Sequence, residues 1–299
     1  TWLGDAVMCT PAIQNVITKF NNPEVTIIGS SSSIELFENN NQITKIIVLE
    51  KNNLFINNFS KSLGRFDLFI SFRGSFRSKL LKFFVVSKKK YQYNKNSYKN
   101  FHQVEKYNNF VNKCLNLKLP AGKLKLYPSS SSNYKKLTLG INPGASYGAA
   151  KQWYPERFAE VALALSSNYE IIIFGGPGEK KISKDIEMLL VKKGVTNFKN
   201  LTGVTSVQDL IDRISCLDLF ITGDSGPMHI AASLQIPTVA IFGPTNDNET
   251  SQWGLEKSII VKKNLDCQPC MKRTCPLKHH NCMNLIKPDD VLKAIKSFN

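Results

Sequence analysis

The fold of this protein is decided by the stretch DLFITGDSGPMHIAASLQIPTVAIFG, residues 218–243. Two β-branched runs, 218–223 and 238–243, each end in a turn residue, and the segment 227–234 between them has a helical pattern. A strand, a helix and a second strand in this order predict a parallel pair with a crossover helix. The stretch therefore indicates a parallel sheet that is covered by helices.

The same alternation continues outward from this stretch through the rest of the second half. Further strands are predicted at 137–142 and 170–175. Helices are predicted at 155–166, 179–192, 207–217 and 227–234. A doubly wound α/β domain follows, and such sheets bind ligands beyond the carboxyl ends of their strands. We therefore expect the residues just after the four strands to line one site.

The first half shows a second series of the same kind. Strands are predicted at 25–29, 45–50 and 66–71, and helices at 6–20, 31–39 and 100–117. The polar tract 128–134 is typical of a solvated linker, so we predict two domains, 1–130 and 131–299. An open α/β domain normally begins with a strand before residue 6, so we expect the first strand of the N-terminal domain to be missing from this sequence. The predicted class is α/β, with two Rossmann-like domains facing across a cleft.

Composition limits the class of protein further. Hydrophobic residues make up 42% of the 299 residues and charged residues 21%, which is usual for soluble globular proteins. No apolar run is long enough to span a membrane, and no export signal is recognisable, so a cytoplasmic protein is expected.

The formal net charge of +16 predicts attraction to an anionic partner or reflects a general bias toward Lys and Asn. The segment 65–99 is denser in Lys and Arg than the rest of the chain. It lacks the aromatic pattern, zinc finger or helix-turn-helix of nucleic-acid-binding proteins, so no nucleic-acid partner is predicted.

Three loops of the second half carry signals for an anion site. The loop 142–153 is rich in small residues and ends near Lys151, the turn 222–232 opens a helix, and the turn 174–181 follows another strand. Taken singly, these features are also typical of structural turns and of helix capping. We interpret them as an anion site because all three follow strand ends at one sheet edge. The patterns GxGxxG and GxxxxGK[ST] are absent, which disfavours dehydrogenases and P-loop enzymes.

Asp5 follows Gly4 at the start of the first amphipathic helix. On position alone, helix capping is the more frequent role of an Asp there, and catalysis at a cleft is the alternative.

Four stretches resemble glycosyltransferase family nine, the heptosyltransferases: GDAVMCTPAIQ (4–14), NPGASYGAAKQWYPERFAEVA (142–162), TGDSGPMHIAASLQIPTVAIFGPT (222–245) and CQPCMKRTCPLKHHNCM (267–283). The resemblance spans nearly the whole chain. It implies the GT-B architecture, with an acceptor-binding domain 1–130, a donor-binding domain 131–299 and a last helix that packs back on the first domain. It also implies inverting transfer of L-glycero-D-manno-heptose from ADP-heptose to the first heptose of the lipopolysaccharide or lipooligosaccharide inner core.

The resemblance also implies roles for individual residues. Asp5 becomes the general base, which reverses the preference for capping, and Lys151 becomes the cation beside the departing diphosphate. Glu179 is expected to hold the ribose hydroxyls. The donor-binding positions it implies are Ser146, Tyr147, Glu179, Asp224, Ser225, Gly226, Pro227 and His229.

Further expectations concern the partners of the enzyme. The acceptor is expected to be a phosphorylated, Kdo-bearing lipid A core at the inner membrane, with Arg73 and Arg77 as acceptor-binding residues and a peripheral cytoplasmic location. No cofactor and no catalytic metal are expected. The alternatives are a heptosyltransferase of another core step, a nucleotide-binding protein without chemistry and a nucleic-acid-binding protein.

The cysteines are the last feature. Four of the seven lie close in sequence, at 267, 270, 275 and 282, with His279 and His280 between the last two. This cluster suggests a structural zinc site, but the spacing matches no common knuckle, so reduced thiols in a surface loop are preferred. Cys9, Cys114 and Cys216 are predicted to be core residues.

Overall fold

The computed structural model describes residues 2–50, 56–129, 134, 136–144 and 147–298. It divides into two compact units, of which the first ends at Gly122 and the second begins at Lys123. We had placed the boundary after residue 130. The segment after Gly122 bonds within the second unit, because Lys123 Nζ lies 2.7 Å from Glu256 Oε1 and the Ser129 backbone N–H donates to Asp212 Oδ1 at 2.7 Å.

The second unit is built on one parallel six-stranded sheet with the order β10-β9-β8-β5-β6-β7. Its strands are β5 Thr138–Asn142, β6 Glu170–Ile173, β7 Phe198–Asn200, β8 Leu219–Gly223, β9 Thr238–Ile241 and β10 Ser258–Val261. The four predicted strands are the inner ones, and β5, β8 and β9 are buried at every position. Burial on both faces explains why their sequences are mainly apolar and do not alternate with charged residues. The short outer strands β7 and β10 were not predicted.

Helices cover this sheet and close its core. They are α7 Pro155–Leu165, α8 Lys180–Lys192, α9 Val207–Ile214, α10 Gly226–Ser233, α11 Asp247–Thr250, α12 Asn281–Asn284 and α13 Pro288–Lys296. The last helix, α13, packs against α7, β9 and β10 of its own unit. The indole N–H of buried Trp153 donates to the Ile286 carbonyl at 3.1 Å, which ties the loop before α7 to the segment before α13.

The first unit contains two separate pairs of parallel strands, β1 with β2 and β3 with β4. The strands are β1 Thr26–Gly29, β2 Lys45–Val48, β3 Arg65–Ser71 and β4 Val86–Gln92. Within the described residues no strand joins the two pairs, and a cavity of about 320 Å³ is lined by both β1 and β3. We had predicted β1, β2 and β3 but not β4, whose sequence VSKKKYQ has three consecutive lysines that mask the strand pattern.

The helices of the first unit pack around these strands. They are α1 Leu3–Met8, α2 Thr10–Lys19, α3 Ser31–Ile34, α4 Ile56–Ser62, α5 Phe76–Phe84 and α6 Gln103–Leu115. The single helix predicted over 6–20 is two helices, since α1 ends at Cys9 and α2 begins with Pro11 in its first turn. A capping box of His102 and Glu105 starts α6. The helices α4 and α5 were not predicted.

The central strands of the second unit make a direct test of this packing. Ile221 lies in the middle of β8 and is fully buried, so Ile221→Ala should lower the free energy of unfolding by about 2–5 kcal/mol. The control Met188→Ala changes an exposed apolar side chain on α8 and should stay within about 0.5 kcal/mol of the parent protein. Urea denaturation measures both. Equal stabilities of the two variants would contradict the fold described here.

Candidate active site

The carboxyl edge of the large sheet is organised by Asn142, the last residue of β5. Its amide donates to Thr222 Oγ1 at 3.3 Å and to Ser225 Oγ at 3.2 Å, so one side chain joins the ends of two neighbouring strands. Asn142 and Thr222 are both buried. Buried polar groups of this kind are held by their hydrogen bonds, and the loops after β5 and β8 are therefore fixed to each other.

A buried ion pair of Lys151 with Asp224 lies at this edge. Lys151 Nζ is 2.5 Å from Asp224 Oδ2, and the two side chains are only 11% and 7% exposed. The hydroxyl of Thr245, just beyond β9, donates to the same carboxylate oxygen at 2.6 Å. The predicted cation is thus present at the sheet edge, and the loops after β5, β8 and β9 all meet there. Thr245 was not among the predicted site residues, although its position after a strand end was a usable signal.

The N-terminus of α10 is the second feature of this edge. Ser225 is its N-cap, but the Ser225 hydroxyl lies 3.0 Å from Thr222 Oγ1, and in the described structure no side chain caps the helix. The capping alternative for Asp224 and Ser225 is therefore not realised, because both side chains are held elsewhere. Pro227 lies in the first turn, and His229 is buried at 3% exposure. An uncapped helix N-terminus beside a lysine favours an anion.

Glu179 follows β6 on the same edge, as the last residue of a 3-10 turn that precedes α8. The Gly176 backbone N–H donates to Glu179 Oε2 at 2.7 Å. Burial raises the pKa of Glu179 above its ordinary value, and the hydrogen bond from Gly176 acts against that rise. The carboxylate also lies against Gly144, where a Cβ atom would come within 1.9 Å of Glu179 Cδ. Glycine at 144 is therefore what allows the loop after β5 to approach Glu179.

The loop that carries Lys151 is held from outside by a long segment without regular secondary structure, 262–280. The Tyr147 hydroxyl donates to the Met271 carbonyl at 2.7 Å, and the Ala150 N–H donates to the Arg273 carbonyl at 3.0 Å. The Tyr147 ring lies between two cations, 4.6 Å from Lys151 Nζ and 5.4 Å from the Arg273 guanidinium carbon. We had not predicted this role for the segment. Ser146 lies outside the described residues.

The clustered cysteines belong to this segment and its end. Cys267, Cys270, Cys275 and Cys282 line one small cavity of about 20 Å³, and all are free thiols. Burial, and then the three neighbouring sulfurs, raise the pKa of Cys282 to about 11. Across the part of the chain that the structure describes, no group of three or more His, Cys, Asp or Glu side chains is placed to hold a metal ion. The four cysteines are therefore free thiols grouped around one small cavity.

In the first unit, Asp5 lies in the first turn of α1 and is partly buried. The Tyr107 hydroxyl lies 3.4 Å from Asp5 Oδ1. Burial raises the pKa of Asp5 above its ordinary value, while the positive charge of Arg73 and the bonds from Tyr107 and the Trp2 backbone lower it. Asp5 is not the N-cap, which is Trp2, although its bond to the Trp2 backbone supports the helix start. The result is a carboxylate beside an arginine and a tyrosine.

Arg73 and Arg77 follow β3 and line the cavity of about 320 Å³ in the first unit. The backbone carbonyl of Arg73 accepts bonds from Ser78 and Gln92, both at 2.9 Å, which fixes the turn before α5. Two donor atoms of Arg77, Nε and Nη2, are buried and have no hydrogen-bond partner among the described residues. Buried donors without a partner are unusual, so Arg77 is suited to receive an anionic group.

Comparison with known proteins decides the family. Residues 56–281 match the model of glycosyltransferase family 9 (heptosyltransferase). The chain belongs to glycosyltransferase family 9. A lipooligosaccharide heptosyltransferase 2 of Campylobacter jejuni subsp. jejuni is 41% identical to this family 9 chain over 309 residues, covering 100% of this chain and 97% of the relative. The chain is therefore a glycosyltransferase, which leaves the two non-enzymatic alternatives without support.

Two solved structures of the family share the fold. An Escherichia coli ADP-heptose heptosyltransferase II matches with a TM-score of 0.83 and 20% identity, over 99% of this chain and 96% of that one. A family 9 glycosyltransferase of Veillonella parvula matches with a TM-score of 0.86 and 21% identity, over 99% and 94%. The predicted α/β fold of GT-B type, with Rossmann-like domains, is confirmed.

The electrostatic coupling of Asp5 to Arg73 gives a pH prediction. Arg73→Gln removes a charge that lowers the pKa of Asp5, so this pKa should rise further. The family resemblance implies that Asp5 acts as a base, which requires its ionised form. With that role the ionised form is lost at a higher pH in the variant, and the acid limb of kcat against pH should shift upward. The control is Arg65→Gln. Arg65 lies at the start of β3, about 20 Å along the strand from the end that precedes Arg73, so this variant should leave the acid limb of the pH profile unchanged. A downward shift, or equal profiles for both variants, would refute the coupling.

Proposed function

We propose that this protein transfers L-glycero-D-manno-heptose from ADP-heptose to the first heptose of the lipopolysaccharide or lipooligosaccharide inner core, with inversion at the anomeric carbon. The observation that carries the proposal is Lys151, held by Asp224 and Thr245 beside the uncapped N-terminus of α10. That arrangement suits a diphosphate. The relative at 41% identity, a heptosyltransferase 2 by name, supports the sugar and the second-heptose step over another core step.

The donor would bind along the carboxyl edge of the second unit. The diphosphate would accept from backbone N–H groups such as those of Ser225 and Gly226, while Pro227, which has no N–H, shapes the first turn of α10. His229 lies in the same turn of α10, and Lys151 lies beside it. Tyr147 and Ser146 extend the phosphate site, and Glu179 accepts from the ribose hydroxyls. Asp224 is already bonded to Lys151, so its principal role is to hold this ammonium in place.

The reaction is a single displacement. An acceptor hydroxyl oxygen forms a bond to the anomeric carbon while the bond from that carbon to the β-phosphate oxygen of ADP breaks. The leaving electron pair stays on ADP, where Lys151 and the α10 N-terminus stabilise charge that is larger in the transition state than in the substrate. The hydroxyl proton goes to Asp5, whose pKa, raised by burial, makes it a stronger base than a solvated Asp. ADP-heptose is a substrate, and the proposed displacement uses no cofactor and no metal.

The acceptor would bind in the first unit. Arg73 offers positive charge next to Asp5, and Arg77 lines the same cavity as Arg73. The unpartnered donors of Arg77 suit the phosphate or carboxylate groups of a Kdo-bearing lipid A core. We further propose that the enzyme acts at the cytoplasmic face of the inner membrane as a peripheral protein. None of the helices that the structure describes is both long and apolar enough to cross a bilayer.

The role of Asp5 is tested by Asp5→Asn. Turnover should fall about a hundredfold to ten-thousandfold, because the variant cannot accept the hydroxyl proton. Affinity for ADP should not change, since ADP is proposed to bind residues of the second unit. The thermal midpoint should not fall either, because burial opposes the charge of Asp5 in the folded protein and Asn carries none. ADP release with a one-heptose core acceptor and calorimetric ADP binding provide the measurements, and full turnover in the variant would remove Asp5 from the mechanism.

The role of Glu179 is tested through Gly144. In Gly144→Ala the new methyl group displaces the Glu179 carboxylate, so ADP affinity should fall about tenfold to a hundredfold through loss of charged hydrogen bonds. Gly178→Ala is the matched control, because a Cβ there meets no atom within 4 Å although it lies in the same turn as Glu179. Circular dichroism checks that both variants are folded. Unchanged ADP affinity in folded Gly144→Ala would mean that Glu179 does not hold the ribose.

A further inference from the structure

The helix α5 has one buried side and one unusually apolar exposed side. Leu81 is buried and packs in a small core with Ile56 and Val85, with Phe84 partly buried against it. On the exposed side Phe76 and Phe83 are 73% and 75% exposed. An isolated exposed apolar residue is ordinary, but two phenylalanines this far exposed on one short helix require an explanation.

The exposed side of α5 combines these rings with positive charge. Phe76 and Phe83 are seven residues apart, so they lie on the same side of the helix, about two turns from each other. Lys79 falls between them in sequence and is exposed, and Lys82 lies next to that side and is half-buried. The sequence of α5, FRSKLLKFF, contains no acidic residue. Aromatic rings among lysines on one helix side are typical of helices that lie in a membrane interface.

The neighbouring strand β4 also combines an exposed apolar side chain with positive charge. Val86 at its start is 48% exposed, and Lys90 Nζ donates to the Phe83 carbonyl at 3.2 Å, which places its charge at the end of α5. Asp67 is the one acidic residue in the segment 65–99 of the sequence, and it is paired with Lys88 at 2.6 Å. Little negative charge therefore opposes the lysines of this region.

We propose that Phe76, Lys79, Lys82 and Phe83, the α5 surface, form a docking site for an anionic lipid bilayer. The rings would enter the boundary between headgroups and acyl chains while the lysines meet anionic headgroups. Such docking would bring the enzyme to its lipid-linked acceptor, so its purpose rests on the proposed function. Charge decides the choice of occupant, because a purely apolar protein partner would gain nothing from the lysines.

The second unit provides an internal comparison. Met188 and Val191 are exposed on α8, at 53% and 61%, and that helix also carries lysines. Asp185 and Glu187 offset two of the four lysines on α8, whereas α5 has three basic residues and no acid. The α8 pair therefore has a similar exposed apolar character with less uncompensated charge, and it serves as the matched control.

The test is cosedimentation of the protein with vesicles that contain no lipopolysaccharide. Phosphatidylglycerol with phosphatidylcholine is compared with phosphatidylcholine alone, at low and high salt. The double variant Phe76→Ser/Phe83→Ser should weaken binding to the anionic vesicles about tenfold or more. Lys79→Gln/Lys82→Gln should weaken it about fivefold per lysine at low salt only. Met188→Ser/Val191→Ser should bind like the parent protein.

Three outcomes overturn the proposal. The first is that the parent protein binds neither vesicle type or binds both equally, and the second is that the α8 variant loses as much binding as the α5 variant. The third is a change of oligomeric state: the parent protein is a dimer by light scattering, and the double phenylalanine variant is a monomer with unchanged vesicle binding. That result would make the α5 surface a contact between two copies of the protein.

ADP release with a water-soluble core acceptor is measured in parallel and should stay at the parent rate in the α5 variants. Failure of the vesicle test with intact turnover counts against the docking surface alone, and failure of turnover in the parent counts against the proposed function.

Discussion

The buried ion pair of Lys151 and Asp224 is the contact on which the donor edge depends. An ammonium and a carboxylate that are both nearly removed from water are tolerable only together, because each alone would bear a large desolvation cost. Removing one partner of such a pair typically costs about 3–5 kcal/mol. The Thr245 hydroxyl donates a hydrogen bond to the Asp224 carboxylate. The Asn142 amide donates to the hydroxyls of Thr222 and Ser225, which holds the turn that carries Asp224. The cation is therefore positioned before any substrate arrives, which is the property that makes an electrostatic contribution to catalysis effective.

The two units supply chemically different parts. The second presents a preorganised cation and an open helix end, both suited to charge that grows on a leaving group. The first presents a carboxylate whose pKa is raised by burial and restrained by Arg73 and Tyr107. A base needs the reverse of what a diphosphate site needs, namely a negative charge that is not fully neutralised by its surroundings. The partial neutralisation of Asp5 by one arginine and one tyrosine is compatible with the role of base that we propose for it.

The sequence was a good guide where burial was uniform and a poor one elsewhere. The strands β5, β8 and β9 could be predicted because both faces are buried, so each is mainly apolar and carries no charged residue. The strand β4 could not be predicted, because its three consecutive lysines hide the alternation of apolar and polar residues. The break between α1 and α2 at Cys9 could not be predicted either, because no clear sequence pattern marks it. For the candidate site, strand-end position predicted that the loops carrying Lys151, Asp224 and Glu179 lie at one sheet edge, and the structure brings these loops into contact there. The contacts that hold them, such as Thr245 to Asp224 and Glu179 against Gly144, link distant parts of the chain and require coordinates.

The segment 262–280 supports the donor loop mainly through its backbone. Met271 and Arg273 accept hydrogen bonds at their carbonyl oxygens, from the Tyr147 hydroxyl and the Ala150 N–H. A carbonyl oxygen is the same in every amino acid, so most substitutions at these two positions leave the acceptors unchanged. These two acceptors are therefore kept when the side chains at 271 and 273 diverge in evolution, and a comparison of side chains alone will underestimate their importance. What selection has to preserve here is the course of the chain, including the glycine at 148, where a Cβ would come within 2.5 Å of the Arg273 carbonyl oxygen.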